Sequence, residues 1–214
     1  MDSSKQYLSD ISEIKKMMER SSRFISLSGL SGIFAGIYAL IGAFLIYNRM
    51  YTSDEFFYKR TFSNLAISDI NYMIVVAISV LFLALVTGII FTTKNARKHD
   101  LKIWDNTTKR MLINLMIPLA AGGLICIMLI KGQYFIMIAP ATLIFYGLAL
   151  VNASHYTYRD IRYLGLTELF TGLIACIYIG YGLLFWAIGF GILHIVYGTL
   201  MYLKYERKSS ISKG

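Results

Sequence analysis

The chain has 214 residues, of which 57% are hydrophobic and 15% are charged, and its mean hydropathy is +0.59. Soluble domains have about 45–50% apolar and about 25% charged residues, so this composition excludes an ordinary soluble domain, a disordered chain and a disulfide-stabilised scaffold. A polytopic membrane protein accounts for the excess of apolar residues, because its long apolar segments lie in lipid.

The first 23 residues are polar and predict a cytoplasmic amphipathic helix. Tyr7, Ile11, Ile14 and Met18 recur at spacings of four, three and four residues, which places them on one face of a helix. We expect this helix to lie on the membrane, with its basic residues against anionic lipid headgroups at the cytoplasmic face. A helix that binds a second copy of the chain, or a separate protein partner, is the alternative.

Six apolar segments are long enough to cross a bilayer, which takes about 20 residues for roughly 30 Å of hydrocarbon. They predict an all-α fold with a transmembrane domain over 24–205 and a cytoplasmic tail over 206–214. The predicted spans are 24–47, 70–93, 111–130, 134–153, 163–183 and 186–205. The last two form one nearly continuous apolar stretch, in which we expect a tight turn near residues 183–186.

The distribution of basic residues predicts the orientation. Seventeen of the 21 Lys and Arg residues fall on the side that holds both termini. The positive-inside rule therefore predicts that both termini are cytoplasmic. Because these residues border the apolar segments, the net charge of +9 indicates topology determinants and not a nucleic-acid-binding surface.

Parts of the chain resemble one another. Residues 23–30 align with 162–169, and after one inserted residue, 31–38 align with 171–178. The even-numbered spans share a small residue that is followed by two basic residues at fixed distances. The aligned segments are Val86-Thr87-Gly88, Val151-Asn152-Ala153 and Val196-Tyr197-Gly198. The pattern predicts three tandem helical hairpins in one orientation about an axis normal to the membrane; similarity of composition alone is the alternative.

Four polar residues inside the spans are candidates for a substrate or ion path: Glu168, His194, Asn114 and Asn152. Glu168 is the one charged side chain well inside a predicted span, and its depth is close to that of His194. We expect these two side chains to share one buried site between spans 5 and 6, because ionisable groups within a membrane are costly and commonly functional. Interhelical hydrogen bonds that only join the spans are the alternative, and the one we favour for the asparagines.

Other chemistries lack the residues that they need. The three histidines and two cysteines have no metal-ligand spacing, so no metal and no cofactor is predicted. Gly29-Leu30-Ser31-Gly32 matches the G-x-S-G motif of rhomboid proteases, but Thr171-Gly172 stands at the aligned place in span 5. A row of small residues for helix packing therefore explains the motif better, and no catalytic residue is predicted.

The layout of the chain, together with residues 20–29, Arg-Ser-Ser-Arg-Phe-Ile-Ser-Leu-Ser-Gly, resembles uncharacterised six-span bacterial inner-membrane proteins of similar length. This resemblance implies a multi-pass protein of the bacterial inner membrane and carries no activity. Two function classes follow from the residues. The first is a small transporter or channel with a polar site between spans 5 and 6, and the second is a non-catalytic sensor or regulatory subunit of a larger complex.

Overall fold

The computed structural model describes residues 27–51, 67–98 and 104–207. These residues form helices joined by turns, with no strand among them. Five helices are long and apolar enough to cross a membrane. They lie in the predicted spans 1, 2, 3, 4 and 6, so the described part of the chain is all-helical and fits an integral membrane protein. The predicted helix over 1–23 and most of the loop between the first two spans lie outside the described residues.

We number the helices in chain order and list their bounds. They are α1 Gly29–Tyr51, α2 Ile67–Lys98, α3 Asn106–Lys131, α4 Ile138–Ala153, α5 Arg159–Ile177 and α6 Gly182–Arg207. One turn of 3₁₀-helix precedes α4 and another follows it. The last helix includes Glu206 and Arg207, so the first two residues of the predicted tail 206–214 continue α6.

The turn between α5 and α6 lies earlier in the chain than the sequence predicts. Residues 178–181 form it, with Gly180 at a φ of 101°, where a glycine has no steric cost. Residues 183–186, where the turn was expected, are helical. The prediction counted apolar aromatic residues such as Tyr178 and Tyr181 as part of the span, although they form the connection.

α5 differs from the other five helices in having a charged side chain, Glu168, near its middle. It has 19 residues and carries Arg159, Asp160, Arg162 and Glu168, and it is not among the five helices apolar enough to cross a membrane by composition. The first three of these charges lie in the first turn of α5, and Glu168 is buried inside the bundle. α5 packs against α4 and α6, so several of its side chains contact protein instead of lipid.

The helices form a group of two and a group of three, which α6 joins. α1 packs against α2 and α6, whereas α4 packs against α3 and α5. In the apolar segments of α2 and of α3 only 6% of the residues are buried, against 33% in those of α1 and α4. The peripheral helices α2 and α3 therefore present apolar side chains outward, as lipid contact requires, and the core lies among α1, α4, α5 and α6.

Glycines allow the core helices to approach closely. A Cβ atom at Gly147 of α4 would lie 2.7 Å from the backbone oxygen of Gly165 in α5. A Cβ atom at Gly32 of α1 would lie 3.2 Å from the Cα atom of Gly198 in α6. Such contacts between small residues provide the van der Waals packing that holds helices together in a membrane.

The aligned segments of the sequence pack differently in the two halves. Gly32 aligns with Gly172, and Gly198 aligns with Ala153. Gly32 lies against Gly198, but Gly172 lies against Ile144 and not against Ala153. The register of α1 against α6 therefore differs from that of α5 against α4, and the structural equivalence of the hairpins stays a prediction.

Candidate functional site

The carboxyl group of Glu168 lies in the core of the bundle. Glu168 is on the face of α5 that contacts α4 and α6, and it is 0% exposed. Its Oε1 atom lies 3.2 Å from Nδ1 of His194 in α6, and that imidazole is also buried. This distance agrees with the expectation that the two side chains share one buried site; whether the site is a path for substrate or ions stays a prediction.

Both nitrogen atoms of the His194 ring have polar neighbours. Nε2 lies 2.8 Å from the hydroxyl group of Tyr146 in α4, and Nδ1 lies 3.1 Å from the carbonyl oxygen of Gly189. A carbonyl oxygen can only accept, so the contact with Gly189 requires a hydrogen on Nδ1. In the neutral imidazole Nε2 then accepts a hydrogen bond from Tyr146. The site is therefore a row of three titratable groups: a phenol, an imidazole and a carboxyl.

A widened segment of α6 makes room for the carboxyl group. Residues Ala187–Leu193 form π-helix, a rare geometry that is common at functional sites. Gly189 lies within this segment, and a Cβ atom there would lie 2.5 Å from Oε2 of Glu168. The absence of a side chain at residue 189 thus allows Glu168 to reach the interior of the bundle.

The carboxyl group has few polar neighbours. Among the described residues, neither oxygen of Glu168 has a partner with good hydrogen-bond geometry. The 3.2 Å contact with His194 meets the distance of an ion pair, but Nδ1 also faces the Gly189 carbonyl. One N–H group therefore faces two acceptors. A buried carboxylate with so little compensation is stable only if it binds a proton or a cation.

Aromatic rings connect this site to a cavity. The ring of Phe190 lies 5.0 Å from that of Tyr146, 5.9 Å from that of His194 and 5.2 Å from that of Trp186, measured between centroids. Trp186 and Thr142 line an apolar cavity of about 180 Å³ between α2, α4 and α6. Phe190 and Tyr146 each follow a lining residue by four positions, one helical turn further along. Phe190 therefore lies between the cavity and the buried polar groups.

The two asparagines form a separate contact. Nδ2 of Asn152 in α4 donates to the backbone oxygen of Asn114 in α3 at 2.9 Å, and Nδ2 of Asn114 donates to the backbone oxygen of Arg110 at 2.8 Å. Asn152 follows Tyr146 by six residues, which corresponds to about 9 Å along a helix. The first bond joins α4 to α3, as the structural alternative for the asparagines predicts, and the second lies within α3. Their place in a substrate or ion path stays a prediction.

The serine of the protease-like motif has a structural contact. The hydroxyl group of Ser31 donates to the backbone oxygen of Ser28 at 2.6 Å, at the start of α1. Gly32, the last residue of the motif, packs against α6. Both observations agree with the prediction that this segment serves helix packing.

Three residues of the site were not predicted from the sequence: Tyr146, Gly189 and Phe190. Tyr146 lies near the middle of predicted span 4, and its position in an apolar span was the one signal that could have identified it. Gly189 and Phe190 belong to an apolar stretch in which nothing marks a π-helix. Their roles depend on contacts between helices that are distant in the sequence.

Comparison with known protein families, with curated proteins and with solved structures finds no match to this chain.

Proposed function

We propose that the protein is a small membrane transporter in which Glu168 and His194 bind and release a proton inside the bundle. The observation that carries the proposal is the fully buried carboxyl group, 3.2 Å from the imidazole, in an integral membrane protein. Ionisable groups in such positions are expensive, and in membrane proteins they commonly mark proton relays and substrate sites.

The number of protons on the pair follows from its burial. A neutral carboxyl group beside a neutral imidazole and a carboxylate beside an imidazolium contain the same number of protons, and both have no net charge. Removal of one proton leaves a net negative charge in a medium of low polarity, which is costly unless a cation compensates it. The pair is therefore suited to couple the release of a proton to the binding of a cation.

The proposed topology has six spans, with α5 as the fifth and both termini in the cytoplasm of a bacterial cell. Nineteen helical residues extend over about 28 Å, close to the thickness of the hydrocarbon core. The charges Arg159, Asp160 and Arg162 all lie at one end of α5, and the remaining charge, Glu168, faces protein. These features support a crossing by α5 despite its composition. The excess of basic residues on one side supports the cytoplasmic position of both termini, and the resemblance of the chain to six-span bacterial proteins supports the inner membrane as the location.

Infrared difference spectroscopy tests the protonation step without knowledge of a substrate. The full chain in lipid nanodiscs is compared between acidic and alkaline buffer. We expect one component of the carbonyl stretching band of protonated carboxyl groups, that of Glu168, to disappear in alkaline buffer and to be missing from the difference spectrum of Glu168→Gln. Asp69→Asn removes a carboxyl group near the start of α2, at the end of the bundle where Asp69 pairs with Arg49, and is expected to leave the band in place.

Proton movement is measured in vesicles that contain a pH-sensitive dye, with potassium and valinomycin present to compensate charge. Flux after an external acid pulse, lost in Glu168→Gln, indicates a channel or uniporter. A change of the infrared band without flux indicates obligatory exchange with a second substrate. If neither the band nor the internal pH responds, the transport proposal is wrong, and a sensor or regulatory subunit is the better description.

A further inference from the structure

We propose that the second substrate is a monovalent organic cation with apolar groups, which binds Glu168 in exchange for one proton. This inference rests on the proposed function and names the substrate class of the same site. The cation would enter through the apolar cavity lined by Trp186 and Thr142, and it would reach the carboxyl group when the Phe190 ring moves aside.

The charge of the site selects a cation. Glu168 is the one acidic side chain of the buried cluster, and its two oxygens lack well-aligned donors among the described residues. The titratable groups that face it are His194 from α6 and Tyr146 from α4. When both of these groups are neutral, a carboxylate here gives the site one negative charge. An anionic substrate would add a second charge in the same medium, which excludes it.

The surroundings select a cation with apolar groups. The rings of Trp186, Phe190 and Tyr146 follow one another from the cavity to His194, with centroid distances of 5.2 Å and 5.0 Å between neighbours. Aromatic faces attract cations electrostatically, and they do so most strongly when water is excluded. A small hydrated metal ion would lose its water shell here and gain too few oxygen ligands, because the cavity is lined almost entirely by apolar side chains.

The exchange balances in charge and in protons. Before binding, Glu168 holds a proton and the pair is neutral. As the cation enters, the O–H bond of the carboxyl group breaks, the proton leaves to solvent, and the carboxylate compensates the positive charge of the substrate. The net charge of the site stays at zero. The step therefore avoids an uncompensated charge in the core, which explains how a fully buried carboxyl group can take part in transport.

Binding of tetraphenylphosphonium to the full chain in lipid nanodiscs tests the inference. Equilibrium dialysis measures the bound cation, and a pH indicator in weak buffer measures released protons. We expect saturable binding that tightens as the pH rises, with one proton released for each cation bound. Tetraphenylborate has the same shape and a negative charge, and it is expected to bind no more than it does to nanodiscs without protein.

Substitutions test the carboxyl group of Glu168 and the ring of Phe190 separately. Glu168→Gln is expected to reduce binding of tetraphenylphosphonium to the level of empty nanodiscs, whereas Asp69→Asn should keep it. Phe190→Leu is expected to weaken binding about tenfold, since it removes one aromatic face. Phe82→Leu is the matched control, because the Phe82 ring is 63% exposed on the outer surface of α2.

The outcomes distinguish this inference from the proposed function. The inference is overturned if the anion and the cation bind equally above the level of empty nanodiscs, or if the cation binds without proton release. Both results are measured on the wild-type protein, so they do not depend on the folding of any variant. If the infrared band of Glu168 changes with pH while the cation releases no proton, the substrate class is wrong and the proton site remains. If neither the band nor the internal pH of the vesicles responds, both proposals are wrong.

Discussion

Gly189 and Glu168 share a space that admits no side chain at residue 189. A Cβ atom there would lie 2.5 Å from Oε2 of the carboxyl group and would also meet the side chain of Leu143. We predict that Gly189→Ala displaces Glu168 and costs about 1–3 kcal/mol, as overpacking of a core does. Thermal unfolding in detergent measures the loss of stability.

The control for this substitution is Gly123→Ala. Gly123 is also helical, in α3, and among the described residues no heavy atom outside its own stretch of helix lies within 4 Å of a Cβ atom built there. Alanine has the higher helix propensity, so the unfolding temperature should stay the same or rise slightly. Equal losses in the two variants would show that the space at Gly189 does not determine the position of Glu168.

A second glycine tests the contact between α4 and α5. A Cβ atom at Gly147 would lie 2.6 Å from the backbone nitrogen of Leu169 and 2.7 Å from the backbone oxygen of Gly165. Backbone atoms cannot rotate away, so Gly147→Ala must separate the two helices. We predict a loss of about 1–3 kcal/mol in thermal unfolding. An unfolding temperature equal to that of the wild type contradicts the close packing of α4 on α5.

The sequence predicted the helices well because length and apolar composition determine what can lie in a bilayer. Five of the six predicted spans contain a helix with suitable composition, and α5 occupies the remaining one, the fifth. The turn before α6 was misplaced because the apolar content of residues 178–181 hides the connection. Gly180 alone marks it, through its positive φ.

The site could be predicted only in part. Depth estimated from Arg162 and Lys204 was enough to expect Glu168 beside His194, because these residues lie on helices joined by a short turn. Tyr146 and Gly189 could not be predicted in the same way. Their contacts depend on the register of α4 against α5 and on the π-helix, which are set by packing and leave no periodic pattern in the sequence.

Glu206 links the end of α6 to the beginning of α1. Its carboxylate accepts hydrogen bonds from the hydroxyl group of Ser28 at 3.1 Å and from the backbone nitrogen of Gly29. These bonds satisfy a free donor at the start of a helix, where the helix dipole also favours a negative charge. We predict that Glu206→Ala lowers stability by about 1 kcal/mol.

Two variants define the origin of this effect, measured by thermal unfolding in detergent. Glu206→Gln keeps an acceptor oxygen and loses the charge, so its loss should be smaller than that of Glu206→Ala. Ser28→Ala removes one donor and leaves the bond from Gly29. If Glu206→Gln and Glu206→Ala lose the same amount, the charge, and not the hydrogen bonds, stabilises the start of α1.

Reporter fusions test the proposed topology. Fusions after residues 60 and 132 are expected to report the outside, and fusions after residues 102, 160 and 210 the inside. A fusion after residue 180 decides whether α5 crosses the membrane, because it should report the outside if it does. An inside signal there, with an outside signal after residue 210, would support five spans instead of six.

The pH dependence of stability tests the ion pair at the start of α5. The Asp160 carboxylate lies 2.9 Å from Nζ of Lys204 and accepts a 2.6 Å hydrogen bond from the hydroxyl group of Tyr205. Partial burial raises the pKa of Asp160, but the hydrogen bonds from Tyr205 and Lys204 lower it by more, so that it lies below the ordinary value of 3.8. The folded protein thus holds the carboxylate more readily in its charged form than the unfolded chain does.

A lowered pKa in the folded state means that the contact stabilises the protein above the unfolded pKa and that this contribution is lost as the pH falls through the folded pKa. We predict that Asp160→Asn unfolds at a lower temperature than the wild type at neutral pH, and that the difference shrinks below about pH 4. Tyr205→Phe removes one of the hydrogen bonds and should reproduce part of the effect. Thermal unfolding in detergent from neutral to acidic pH measures both variants. A difference between Asp160→Asn and the wild type that stays constant over this range would mean that the charge of Asp160 does not contribute to stability.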